Sequence, residues 1–202
     1  MTKYLILVEG VADEVFMEAY IKKIGLEEGL VTIKSCDGYT NIKRQAFINE
    51  LKKNSDNGGK NLVVFDADDD CQSRRKELTE IKGEIKVDFN LFLFPNDSDQ
   101  GALENLLEKI INPDNQCILD CWNNYEKELS QCIIPWKNPQ TPTTPAYKTK
   151  IYGYLEALTG TTKEEKKRIK EKERNYLDSN LWNLDSDYLN PLKKFLSDNI
   201  KP

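Results

Sequence analysis

Histidine does not occur among the 202 residues, which closes every mechanism that needs an imidazole as base, acid or metal ligand. The five cysteines (Cys36, Cys71, Cys117, Cys121, Cys132) are odd in number and include no C-x-x-C pair, so neither a zinc ribbon nor a disulfide framework is indicated. They read as reduced, mostly buried structural thiols. No apolar run approaches the roughly 18 residues that span a bilayer, and the start, Met1-Thr2-Lys3 before a short apolar strand, has no signal-peptide shape. The expectation is a cytoplasmic protein without membrane contact. An excess of basic residues is lacking too. Up to position 110 there are 15 Lys/Arg against 21 Asp/Glu, and beyond it 14 against 13, for a net charge of −5. An acidic front half argues against a generic basic nucleic-acid face and leaves room for a local acidic site neutralised by metal.

What is present suits a single good-sized α/β unit. The mass is 23.3 kDa, 39% of residues are hydrophobic and the mean hydropathy is −0.65, values of a polar but foldable chain. Lys3–Val8, Val31–Lys34, Leu62–Phe65 and Phe89–Phe94 read as four strands. Helical spacing separates them: Val11 to Ile24, a helix with Ile42, Ala46, Phe47 and Leu51 inward, and another starting near Gln72. Leu103, Leu106, Leu107, Ile110 and Ile111 form a further helical stripe. Strands that are apolar throughout, alternating with helices, imply a mainly parallel four-strand sheet covered on both faces, with function at the strands' carboxyl ends. Residues 112–202 differ: a helix over Cys117–Cys132, a connector with four prolines between Pro135 and Pro145, then helices expected at 148–159, 163–177 and 188–199. They read as a helical extension packed on an α/β domain of residues 1–111.

Acids gather where such a sheet places function. Val8 is followed by Glu9-Gly10, with Gly10 permitting a tight turn and Asp13 one helical turn on. Phe65 is followed by Asp66-Ala67-Asp68-Asp69-Asp70. In extended chain Asp66 and Asp68 face the same way and can converge on one ion. After Phe94, Glu104 lies in the first turn of the next helix. If the first and third strands are neighbours, Glu9, Asp13, Asp66 and Asp68 share a small volume, and their repulsion demands protonation or a cation. With oxygen ligands only, that cation is hard: Mg²⁺, or Mn²⁺ in vitro.

Glu9-Gly10 after an apolar strand, Asp13 in the following helix and Asp66-x-Asp68 after another strand resemble the Toprim domain of topoisomerases, bacterial-type primases, ribosomal-RNA maturation nucleases and the overcoming-lysogenisation-defect (OLD) nucleases. Leu93-Phe94-Pro95-Asn96, Gly101-x-Leu103-Glu104 and Asp37-Gly38-Tyr39-Thr40-Asn41 are further similar to small stand-alone bacterial Toprim-like proteins of unassigned function. The resemblance covers about residues 3–111. It implies a three-layer Toprim-like sandwich, with Glu9 as general acid/base or metal-associated carboxylate, Asp66 and Asp68 as metal ligands, and Asp13 and Glu104 completing a second-metal arrangement. Gly10, Arg74 and Arg75 are the candidates for substrate contact. A topoisomerase needs a tyrosine-bearing domain and a primase needs partner domains, so a metal-dependent nuclease acting on nucleic acid is the leading expectation. The alternative is a non-catalytic Toprim-like module binding metal, nucleotide or a protein partner, in bacterial defence or regulation. A weaker one is a doubly wound phosphatase using Asp66 as nucleophile.

Plainer roles stand beside these. Asp70 suits a helix cap, and Glu104 suits compensation of a helix dipole. Lys163–Arg174 reads as an exposed, ion-paired helix, and Trp122, Trp136 and Trp182 read as core or subdomain contacts rather than base-stacking platforms.

Overall fold

The computed structural model describes residues 4–26 and 28–201; Lys3, expected in the first strand, lies outside them. The first half alternates β1 (Tyr4–Val8), α1 (Val11–Lys23), β2 (Val31–Ser35), α2 (Gln45–Asp56), β3 (Lys60–Asp66), α3 (Cys71–Ile85), β4 (Asn90–Phe94) and α4 (Leu103–Lys109). The strands form one parallel sheet in the order β2-β1-β3-β4. Because strand side chains alternate, β1, β3 and β4 each feed two cores, while the edge strand β2 packs Val31 and Ile33 on one. Ile6, Val8, Leu62, Val64, Phe92 and Phe94 face α1 and α4, whereas Leu5, Leu7, Val63, Phe65 and Leu93 face α2 and α3. This is the three-layer α/β sandwich that strands apolar on both faces require. Around α2 the front half departs from expectation: Ile42 lies in a 3-10 turn, Tyr39–Lys43, ahead of the helix, and Ala46, expected inward, is exposed. The turn of α2 that reaches the core does so through Leu51, fully buried, and half-buried Phe47.

The second half holds α5 (Gln116–Gln131), α6 (Tyr147–Thr159), α7 (Lys163–Lys167) and α8 (Asn190–Asn199). Ile151, Tyr154, Leu155, Tyr176, Trp182, Leu192 and Leu196 join the same hydrophobic cluster as the α1 face of the sheet. Polar contacts fasten the ends together: the Tyr4 hydroxyl donates to the Lys201 carbonyl at 3.1 Å and accepts from the Lys201 N–H at 3.0 Å.

The helix expected over 163–177 is a correction. Helix α7 stops at Lys167, a single 3-10 turn follows at Glu171–Glu173, and the chain bends to bury Ile169, Arg174 and Tyr176. The run has almost no apolar side to lay on a core, and local ion pairs contribute only about 0.2–0.5 kcal/mol each, so packing of the few buriable groups decides its path. The cysteine expectation is corrected as well: Cys36 and Cys71 are buried, but Cys117, Cys121 and Cys132 are exposed. Of the tryptophans, Trp182 is core, Trp122 is half-buried beside Gly153, and Trp136 is 86% exposed. Among the described residues, no helix is long and apolar enough to cross a membrane.

Candidate functional site

Register places the acids. β1 and β3 pair with Val8 opposite Val64, so Glu9, the first residue past β1, and Asp66, the last of β3, emerge side by side at the carboxyl edge. The Asp66 N–H donates to Glu9 Oε2 at 3.5 Å, which fixes their proximity. Asp13 returns to this rim from the first turn of α1, where its Oδ2 accepts the Gly10 N–H at 2.6 Å and closes the helix start. Asp66 Oδ1 accepts the Leu103 N–H at 3.0 Å, which brings the start of α4, and with it Glu104, to the same place. Four acids from three separate stretches of the chain thus converge.

Burial first, and then this crowding, set the electrostatics. Burial raises the Asp13 carboxyl to about 7, with the negative charges of Glu104, Glu9 and Glu171 adding to it and the Gly10 N–H bond opposing. Asp66 is raised well above the ordinary carboxylate range, first by burial, then by Asp13, Glu9 and Glu104, against the Leu103 N–H bond. Glu9 is raised too, by burial and by Asp68, while the Asp66 N–H and the Arg74 charge pull the other way.

Asp68 is placed otherwise than alternation predicts. Strand β3 ends at Asp66, and Asp68 has φ 51°, so the extended geometry that would aim Asp66 and Asp68 at one ion does not hold. Its backbone bridges Gly101, with Gly101 N–H to Asp68 O at 2.7 Å and Asp68 N–H to Gly101 O at 2.9 Å. Gly101 has φ 129°, a conformation open to glycine. The Asp68 carboxylate pairs with Arg74. Gly10, by contrast, has φ −131°, ordinary extended backbone, and an added Cβ there would meet only Asp13 Oδ2 at 3.5 Å. The turn from β1 to α1 takes only Glu9 and Gly10, and Gly10 makes it without a positive φ.

Both candidate arginines have protein partners. Arg74 lies with its guanidinium 3.6 Å from the centroid of the Tyr39 ring and also binds Glu77 at 3.2 Å. Arg75 holds Asp97 at 2.6 Å, and Asp97 accepts the Leu93 N–H, so this pair shapes the loop between β4 and α4. Asp70 is a plain N-cap, accepting the Gln72 and Ser73 N–H groups at 2.9 and 3.0 Å. An open depression lined by Asp68, Asp69, Asp70, Ser73, Arg74 and Glu77 lies beside the rim.

Sequence reasoning missed contributions from the second half. Glu171 acts on Asp13, and Lys148, which pairs with Glu171, feels Glu104. The charge run gave no sign of this, because nothing in its spacing tells which residue folds back onto α1. Tyr39, beneath Arg74, was detectable only through the turn that precedes it. Among the described residues, no three His, Cys, Asp or Glu side chains stand together in metal-ligand geometry. Asp13 and Asp66 each commit one oxygen to a backbone N–H, and Asp68 commits to Arg74.

A family model described as "Protein of unknown function (DUF3226)" matches residues 3–201, which takes in both halves of the chain. No curated protein and no solved structure matches it.

Proposed function

We propose that this chain, which belongs to the DUF3226 family, uses its acidic rim to bind a divalent cation, Mg²⁺ or Mn²⁺, and hydrolyses phosphodiester bonds of nucleic acid as a Toprim-like nuclease in the cytoplasm. The observation that carries this reading is the convergence of Glu9, Asp13, Asp66 and Glu104 at one strand edge, where burial and neighbouring negative charge raise the proton affinity of Asp13, Asp66 and Glu9. A site built this way has unmet negative charge and oxygen donors only, which suits a hard dication. Glu9, Asp66, Asp13 and Glu104 are the residues that would hold it. When bound, such an ion takes up charge on a phosphate and lowers the pKa of a water.

The chain's own groups supply the rest. The Leu103 and Gly10 N–H groups orient the Asp66 and Asp13 carboxylates, so that their remaining oxygens need little reorganisation. Glu9, whose proton affinity burial raises, is the carboxylate placed to take up or release a proton. Arg74, pinned between Asp68, Glu77 and Tyr39, presents a fixed positive charge beside Glu9.

The test is purified protein with Mg²⁺ or Mn²⁺ against single- and double-stranded DNA and RNA. Glu9→Gln and Asp66→Asn are expected to lower cleavage by about 100-fold or more, the scale on which general acid–base groups act; cleavage that survives both substitutions refutes the assignment. One observation favours a second reading, a non-catalytic module that binds metal, nucleotide or a partner. Both arginines expected at substrate are tied to acids of this chain. Under that reading no nucleic acid is cut, and calorimetry that finds no divalent binding near millimolar concentration favours it.

A further inference from the structure

One face of α5 lies uncovered. Its packed face runs through Ile118, Leu119, Trp122, Glu126 and Leu129, of which Leu119 is fully buried. Cys117 and Cys121 lie on the opposite side, both with free, exposed thiols. They are separated by four residues, one turn, and therefore share a face with their Cβ atoms about 5–6 Å apart. The helix that holds them is 16 residues long and both positions are inside it, so the spacing is fixed by the backbone rather than by a mobile loop.

That spacing selects between two kinds of thiol chemistry. A disulfide requires Cβ atoms roughly 3.5–4.5 Å apart, closer than an intact helix turn brings them. A single thiophilic atom accepting two sulfurs at about 2.3 Å each spans the gap without unwinding the helix. We propose that Cys117 and Cys121 form a chelating dithiol, a site for a thiophilic metal or metalloid ion, with water completing its coordination. The site is independent of the acidic rim. It uses soft ligands where the rim offers hard ones, so the two would not compete for the same ions. Cys132 is exposed but about 16 Å farther along the helix direction, beyond reach of the same ion, and serves as an internal control.

Phenylarsine oxide tests the pair directly. It condenses with two thiols: two As–S bonds form, the arsenic–oxygen bond is lost, and the oxygen leaves as water with both thiol protons, arsenic remaining trivalent. Under native conditions a thiol-titrating disulfide reagent should find the three exposed thiols of the parent, and only Cys132 after one equivalent of the arsenical. Cys132→Ser should lose all native reactivity on arsenical treatment. Cys117→Ser and Cys121→Ser should each keep both remaining thiols reactive. Cd²⁺ should give an ultraviolet thiolate-to-metal band in the parent and in Cys132→Ser, with affinity lower by about 100-fold or more in the other two, the gain that a second ligand held nearby confers. Thiols left unprotected in the parent, or protection that persists in either Cys117→Ser or Cys121→Ser, overturns the proposal. All three positions are exposed, so the variants should fold, which circular dichroism checks.

Discussion

Asp13→Asn should make the metal-free protein more stable at neutral pH, and the effect has a definite pH signature. Asp13 is 5% exposed and its carboxyl is raised from 3.8 to about 7. In the unfolded chain it ionises as pH passes about 4, while in the folded chain it keeps its proton until about 7. Between those values the folded state binds more protons, so this group's contribution makes stability fall as pH rises, by about 1.4 kcal/mol per pH unit. Over the whole window the ceiling is about 4 kcal/mol, and outside it the slope vanishes because both states carry the same charge. Asparagine is nearly isosteric, its carbonyl oxygen can still accept the Gly10 N–H, and it has no proton to lose. Urea unfolding in the presence of a chelator, repeated from pH 4 to pH 8, should therefore show the parent and Asp13→Asn nearly equal at pH 4 and the variant ahead by about 2–4 kcal/mol at pH 8. Saturating Mg²⁺ should narrow the gap, since a bound dication favours the charged parent carboxylate. A difference that stays flat with pH refutes the argument that burial, aided by the neighbouring acids, holds this proton.

Two further outcomes follow from the fold. Asp70→Ala removes the acceptor for two N–H groups at the start of α3 and should cost about 1 kcal/mol in chemical unfolding, without changing divalent-ion affinity. Tyr4→Phe deletes both hydrogen bonds to Lys201 and should cost about 1–3 kcal/mol, with hydrogen exchange speeding up at the chain's end before it does so in the sheet.

The sheet was legible because a parallel strand covered on both faces must be apolar at every position, and Tyr4–Val8 and Leu62–Phe65 are. Strand adjacency was a condition rather than a reading of the residues. The order β2-β1-β3-β4 meets it by placing β1 beside β3, and the convergence of Glu9 with Asp66 follows. Asp13 and Glu104 were legible because the first turn of a helix after a strand returns to the same edge. Asp68 was not, since alternation presumes extended chain and its positive φ breaks it. Arg74 and Arg75 carry charge visible in the sequence, but their partners Asp68, Tyr39 and Asp97 are set by loops that periodicity does not describe. The approach of Glu171 to Asp13 depends on how Ile169 and Tyr176 bury themselves, Tyr176 against Phe16 of α1, a packing choice with no local signature.

The proposed function requires acids from distant stretches of chain to share one dication. A crystal soaked in Mn²⁺, with anomalous scattering recorded at the manganese edge, tests it most directly. The expected map has a peak between the side chains of Glu9 and Asp66, within reach of Asp13 or Glu104, which is lost in Asp66→Asn. A map with no peak at that edge of the sheet, or with manganese bound only elsewhere, contradicts it.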